Sequence, residues 1–303
     1  MKPILFDLSY NLNLSAQVRQ KLDAELGSLT LRNFPDGESS IKVMEDCEDR
    51  EVIVMADLSH PNEKVLPLLL LTRILRERKA KEINLIAPYL PYMRQDAQFT
   101  SGESQLARHF AELLSAHFDK VITVEPHLHR ILRLDTIFSI PTETVHSTIP
   151  IAEWVKNHVK NPLFIGPDME SSQWVSPLAR QLQQPFLVAE KSRKGDQDVS
   201  IIIKGLDHCQ GHTPVVIDDI ISTGYTMVGI GQRLKDEGFN ESICIATHAI
   251  FSGDAYMRLS KNYFDKVITT NTVPHISNQI DVSEEIYRGY AACGTDKQYG
   301  AGL

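Results

Sequence analysis

At 303 residues the chain exceeds the usual size of one hydrophobic core, so two domains are expected. Its 42% hydrophobic and 23% charged content is that of a soluble globular protein, and no apolar run is long enough to span a membrane. A formal net charge of −8 speaks against a nucleic-acid surface but leaves room for phosphorylated ligands, which need only local donors. The opening Met-Lys-Pro-Ile-Leu lacks the apolar segment of a signal peptide. Cys47, Cys209, Cys244 and Cys293 are widely spaced, so a reduced cytoplasmic protein without disulfide framework or zinc site is expected.

Along the chain, short β-branched runs alternate with amphipathic segments. A strand is expected over 52–55, a helix over 64–79, a strand over 83–87, a helix over 103–117 and a strand over 121–124. There follow a strand over 163–165, a helix over 171–183, a strand over 215–217 and a helix over 226–237, with Gly238 as its terminator. Strands over 243–247 and 267–269 complete the pattern, which is that of parallel sheets with helices on their faces.

The hexapeptide FDKVIT occurs at 118–123 and again at 264–269, and each copy is soon followed by Pro-His, Pro126-His127 and Pro274-His275. Upstream of each copy lies an apolar run ending in Asp, at Asp57 and at Asp219, and then a second apolar run. This reads as a duplicated α/β domain. The halves differ in two places. The first carries an insertion near PYLPYMRQDAQFTSGES, and the second carries DDIISTGYT where the first has ADLSHPNEK.

PVVIDDIISTGYTM at 214–227 is the most informative stretch. A buried apolar strand is expected to end in Asp218 and Asp219, and a small-residue turn then opens a helix. Ser222, Thr223, Gly224 and Thr226 suit that turn, because glycine permits close backbone approach and hydroxyls donate. Backbone N–H groups at a helix N-terminus attract a phosphate dianion, and the acids can accept hydrogen bonds from vicinal sugar hydroxyls. Together they suit a pentose 5-phosphate. A GK[ST] loop and a GxGxxG fingerprint are both missing from the stretch.

PVVIDDIISTGYTM resembles the phosphoribosyl-diphosphate-binding motif of type I phosphoribosyltransferases. The resemblance narrows to ribose-phosphate diphosphokinases through NFPDGES at 33–39, PYMRQD at 91–96, VEPH at 124–127, GPDMES at 166–171, EKSRKGD at 190–196 and ATHAIFSGDA at 246–255. In places the chain is closer to archaeal-type members of that family. The implied fold is α/β, with two duplicated type I phosphoribosyltransferase-like domains, each a mostly parallel sheet flanked by helices. The expected division is an ATP-side domain over 1–143, rejoined by 285–303, and a ribose 5-phosphate domain over 144–284.

The resemblance implies transfer of the diphosphoryl group of Mg-ATP to the anomeric hydroxyl of ribose 5-phosphate, giving phosphoribosyl diphosphate and AMP. Phe34, Asp36, Glu38, Arg94, Gln95 and Asp96 are then expected at ATP, and His127 and Asp168 at Mg²⁺. Lys191 and Arg193 would be the catalytic cations, with Asp218, Asp219, Ser222, Thr223, Gly224, Tyr225 and Thr226 at ribose 5-phosphate. A homo-oligomer, dimer or hexamer, is implied, with neither nucleic acid nor membrane as partner. Ala97 stands where a basic residue is usual, Ser222 where the family's loop commonly has Asp, and Asn271 where Asp is usual. The acidic EDCEDR stretch at 45–50 implies weak or absent activation by inorganic phosphate. A phosphoribosyltransferase and an inactive synthetase-associated subunit are the alternative readings.

Overall fold

The computed structural model describes residues 1–193 and 199–293, and the side chains of 191–193 and 199–200 lie outside that description. In chain order the elements begin with β1 (Ile4–Leu8), α1 (Leu12–Lys21), β2 (Glu25–Leu26), β3 (Leu29–Asn33), β4 (Ser39–Val43) and β5 (Glu51–Ala56). Next come α2 (Pro61–Glu77), β6 (Glu82–Ile86), α3 (Leu106–Ser115), β7 (Lys120–Val124), β8 (Thr142–Val145), α4 (Thr148–His158) and β9 (Pro162–Gly166). Then follow α5 (Ser172–Leu182), β10 (Phe186–Arg193), β11 (Val199–Ile203), β12 (Thr213–Ile221) and α6 (Tyr225–Asp236). The last are β13 (Ile243–Ala249), α7 (Ala255–Asn262), β14 (Lys266–Thr270), β15 (Asn278–Ile280) and α8 (Ser283–Ala292).

The chain divides into two compact units, Met1–His146 with the segment from Val282 onward, and Ser147–Asp281. Among the described residues, the first unit holds a six-stranded sheet in the order β2-β1-β5-β6-β7-β8 and a separate β3–β4 hairpin. The second holds a seven-stranded sheet in the order β11-β10-β9-β12-β13-β14-β15, parallel except where β11 turns back along β10.

The repeat in the sequence is a repeat in the fold. β1-β5-β6-β7-β8 and β9-β12-β13-β14-β15 run in the same order, every neighbouring pair parallel. α2 and α6 follow the equivalent strands β5 and β12, and α3 and α7 follow β6 and β13. FDKVIT leads into β7 and β14, and Phe118 and Phe264 are both buried at their starts.

Because side chains alternate across a strand, one apolar run feeds two cores. Val52 and Val54 of β5 pack with Leu68, Leu71 and Leu75 of α2 and Phe110 of α3. Ile53 and Met55 face the other way, against Leu14 and Val18 of α1 and Ile286 of α8. The second unit repeats this: Val216 packs with Met227, Ile230 and Leu234 of α6, and Val215 and Ile217 pack with Val155 of α4 and Val175 of α5. Complete burial of each such side chain contributes about 1.5–3 kcal/mol.

α8 returns to the first sheet through a polar anchor. The Tyr290 hydroxyl donates to the Glu51 carboxylate and accepts from Asn84 Nδ2 at 2.8 Å, and Lys120 Nζ lies 5.1 Å from its ring centre. Burial, and then the neighbouring Glu51, push the phenol well above its ordinary range, so it stays a donor.

Candidate functional site

In the second unit, the strand bearing the two acids is longer than the sequence suggested. β12 does not stop at residue 217 but runs to Ile221, because Ile220 and Ile221 still pair with His248 and Ala249 of β13. Asp218 and Asp219 therefore sit within the strand, held by a rigid ladder rather than by a loop. The Asp219 amide donates to Asp218 Oδ1 at 3.0 Å, and the Ile220 amide to Asp219 Oδ1 at 2.7 Å.

The Asp218 carboxyl is pushed well above the usual carboxylate range, first by burial, then by the charge of Asp219 and more weakly by that of Asp168. Asp168 comes near because β9 and β12 are paired neighbours, and it lies two residues beyond Gly166. Its own carboxylate accepts from the Ser171 amide at 3.0 Å, while the Ser171 hydroxyl donates to the Asp168 carbonyl at 2.5 Å. Three carboxylates held close in a partly desolvated place repel one another, and a hard divalent cation, which takes oxygen ligands, relieves that repulsion. The donor set of this unit fits Mg²⁺.

The turn is three residues, Ser222, Thr223 and Gly224, and α6 begins at Tyr225. Gly224 is left-handed, with φ +73, and a Cβ there would come within 3.1 Å of Leu259 Cδ1. Glycine meets both demands. The first intrahelical bond runs from the Val228 amide to the Gly224 carbonyl at 2.9 Å, and no side chain caps the helix. The amides of Tyr225, Thr226 and Met227 thus lack intrahelical acceptors and carry the positive end of the helix dipole. The Ser252 amide donates to the Ser222 carbonyl at 3.2 Å, and Arg258 Nη2 donates to the Thr223 carbonyl at 2.6 Å. The Arg258 guanidinium also lies 5.0 Å from the ring centre of the exposed Tyr225.

Asn271, a departure from the expected Asp, donates to Asp281 at 2.7 Å. Lys191 and Arg193 fall on the last residues of β10, whose backbone pairs with β11, but their side chains lie outside the described residues.

In the first unit, the equivalent turn is closed from within. Asp57, 6% exposed, accepts from Lys64 Nζ at 2.5 Å and from the Ser59 hydroxyl at 2.8 Å. His60, also left-handed at φ +54, precedes Pro61 at the start of α2. The side chain that satisfies Asp57 is part of the chain itself.

The remaining expected residues of this unit lie on three segments. Phe34, Asp36 and Glu38 are exposed on the β3–β4 hairpin, where Asp36 Oδ1 accepts from the Glu38 amide at 3.2 Å. The Arg32 guanidinium stacks 4.8 Å from the Phe34 ring centre. The insertion after β6 presents Arg94 and Gln95 to solvent and is pinned by Tyr92. That residue stacks 4.8 Å from Phe110 and donates to Asn62 at 2.6 Å.

Asp96, expected at ATP, is held within the first unit. It is 3% exposed, and its oxygens accept from Arg130 Nη1 at 3.0 Å and the Arg130 amide at 3.1 Å. The segment after β7 carries His127 beside His129, with Nδ1 of the former 3.2 Å from Nε2 of the latter and the rings 3.8 Å apart. In the tautomer where His127 Nδ1–H donates, its Nε2 carries the lone pair a metal ion requires.

Arg130 and Arg258 were missed from sequence. Arg130 lies three residues past VEPH, the nearest signal the chain offered.

Residues 3–117 match the family profile described as the N-terminal domain of ribose phosphate pyrophosphokinase, and residues 143–285 match the phosphoribosyl transferase domain. A ribose-phosphate pyrophosphokinase of Methanopyrus kandleri is 31% identical over 286 residues, covering 93% of this chain and 97% of that one. One of Wolinella succinogenes is 29% identical over 273 residues, covering 89% and 87%. The crystal structure of phosphoribosylpyrophosphate synthetase from Mycobacterium smegmatis is 24% identical, with a TM-score of 0.83, covering 96% of this chain and 98% of that one, and shares the fold.

The fold and loop thus define an enzyme class, phosphoribosyltransferase-like α/β proteins in which the unit is duplicated. Within it, the chain belongs to the ribose-phosphate pyrophosphokinase family. No helix among the described residues is long and apolar enough to cross a membrane.

Proposed function

We propose that this chain transfers the diphosphoryl group of Mg-ATP to the anomeric hydroxyl of ribose 5-phosphate, giving phosphoribosyl diphosphate and AMP. The observation that carries the reading is the second-unit turn, in which a paired-acid strand meets an uncapped, glycine-entered helix within a member of this family. The amides and hydroxyls of residues 222–226 hold the sugar phosphate, and Asp218 and Asp219 accept from the vicinal hydroxyls. The Arg258 brace on the Thr223 carbonyl supports this assignment, because it fixes the turn before any ligand arrives.

ATP is held by the first unit. Phe34 offers a ring for the base, already backed by Arg32, and Asp36 and Glu38 accept from an exocyclic amine. Arg94 and Gln95, exposed on the insertion, donate to the nucleotide. The exposure of the hairpin agrees with a homo-oligomer in which it serves a neighbouring subunit. Mg²⁺ supplies neutralisation of the polyphosphate charge when bound, and His127 in the first unit and Asp168 in the second would each offer it a ligand atom.

The anomeric oxygen attacks the β-phosphorus in line, the bond to the α-phosphoryl oxygen breaks, and AMP leaves. The chain's contribution is to orient the acceptor, exclude water and present the cations of Lys191 and Arg193 to the developing charge. No side chain is assigned as general base.

The test is purified protein with Mg-ATP and ribose 5-phosphate, following AMP and the sugar diphosphate together. Equimolar appearance of both is expected. ADP as product, or AMP without sugar diphosphate, overturns the reading, and so does activity that requires a nucleobase and releases diphosphate.

A further inference from the structure

We infer that Asp96 and Arg130 form a positioning pair that sets the nucleotide-binding insertion against the histidine segment after β7. The inference deepens the proposed function, on which it rests, because it concerns how Arg94 and Gln95 are aimed at ATP.

Arg94 and Gln95 are exposed, and an exposed loop by itself fixes no geometry. Two backbone bonds hold the front of the segment: the Gln95 amide donates to the Tyr92 carbonyl at 2.9 Å, and the Ala107 amide donates to the Gln95 carbonyl at 3.2 Å. Both ends of these bonds lie within the insertion or the helix it enters. Beside the Tyr92–Asn62 bond, Asp96 ties it outward across 34 positions of sequence.

Its two oxygens are used differently. Oδ2 accepts from the Arg130 main-chain amide, so it grips the backbone one residue beyond His129, and Oδ1 accepts from the Arg130 guanidinium. The guanidinium in turn lies 5.4 Å from the ring centre of Phe99, farther along the insertion. Glu103 Oε2 accepts from the amides of Phe99 and Thr100 at 3.0 and 2.9 Å, closing the loop that presents that ring.

The chemistry separates positioning from contact. A carboxylate 3% exposed, with both oxygens engaged, has no surface to offer a nucleotide, whereas Arg130 has a side chain 59% exposed. A buried acid held by a charge-assisted bond on one side and a backbone amide on the other is a rigid strut. It holds the chain carrying Arg94 and Gln95 in register with the chain carrying His127 and His129. Sequence places those pairs immediately beside the two ends of the strut.

The experiment is steady-state kinetics with Mg-ATP and ribose 5-phosphate on wild type, Arg130→Gln, Arg130→Lys and Asp96→Asn, with melting temperatures alongside. Arg130→Gln removes the charge from an exposed side chain and leaves the amide contact, so the fold is retained. It is expected to raise the KM for ATP about tenfold, within the cost of a small misplacement of binding groups. The KM for ribose 5-phosphate and the melting temperature stay at their wild-type values. Arg130→Lys, which keeps one charged donor for Oδ1, restores most of the ATP affinity, a rescue that loss of packing alone does not give.

An ATP KM in Arg130→Gln equal to wild type overturns the inference and leaves the proposed function standing. So does a parallel rise in both KM values, or a loss confined to melting temperature. Absence of AMP formation by wild type overturns the proposed function and this inference with it. Asp96→Asn, which keeps one acceptor, is expected to fall between wild type and Arg130→Gln in ATP KM.

Discussion

Arg258 of α7 donates from Nη2 to the carbonyl of Thr223 at 2.6 Å, and so ties the turn at 222–224 to the helix beyond the next strand. The same side chain bonds Asp254 at 2.9 Å and lies against the Tyr225 ring, which limits the freedom of the turn on both sides. Arg258→Ala is expected to raise the KM for ribose 5-phosphate by about tenfold, the scale of one hydrogen bond to a charged group. The KM for ATP is expected to change little. Kinetics with each substrate varied in turn checks this; equal effects on both would break the link between this turn and the sugar.

Asp218 combines an expected role at the sugar with an unfavourable setting, since burial and the charges of Asp219 and Asp168 raise its proton affinity. Asp218→Asn should therefore cost activity and gain stability. A fall in kcat/KM of about 10–100-fold corresponds to losing a charged acceptor. A rise of about 2–4 °C in melting temperature, measured without divalent cation, corresponds to relief of about 1 kcal/mol in a protein of this size. A variant that melts lower than wild type would contradict the electrostatic account.

His117 closes α3 with Nδ1 2.8 Å from the hydroxyl of Thr72, which itself donates to the Leu69 carbonyl at 2.7 Å. Burial, and then the charge of Arg73, lower its pKa. The unfolded chain therefore takes up a proton near pH 6.5, before the folded one does, and stability falls as pH drops through that point. Between about pH 7.5 and pH 5.5 the wild-type melting temperature should fall more than that of His117→Gln. Parallel melting curves against pH for the two proteins would refute the assignment.

Regulation by inorganic phosphate is expected to be weak. The cations around the acidic stretch at 45–50 are already engaged: Arg50 with Glu25 at 2.7 Å, Lys79 with Glu48 at 2.5 Å, and Arg78 with the Glu45 carbonyl at 2.9 Å. Adding phosphate should change the rate of AMP formation less than about twofold, below ordinary allosteric coupling. A severalfold stimulation would locate an anion site elsewhere.

The fold was legible because parallel strands buried on both faces are nearly uninterrupted apolar runs, as at 52–55 and 215–217, in alternation with amphipathic segments. The duplication was legible because FDKVIT survived in both copies. The β3–β4 hairpin escaped because polar residues such as Thr30, Arg32 and Ser40 interrupt its apolar ones. The strand end at β12 was read short because Asp is a poor strand former and the Ser-Thr-Gly signal follows it closely; ladder pairing with β13 overrode both.

The candidate site was legible where chemistry lies in contiguous residues, as in the turn at 222–226, and illegible where it depends on distant partners. Asp96 finds Arg130 and Thr223 finds Arg258 only through the fold. A motif shows which groups are present; it does not show which of them face the ligand and which hold the others still.

The internal ion pair of Asp57 with Lys64 marks a chemical difference between the two halves. A counter-ion tethered seven residues away reaches the carboxylate without diffusing to it, so Asp57 is answered from inside the molecule. Seven residues past Asp219, in the other half, stands Thr226, so no such tethered cation is provided there.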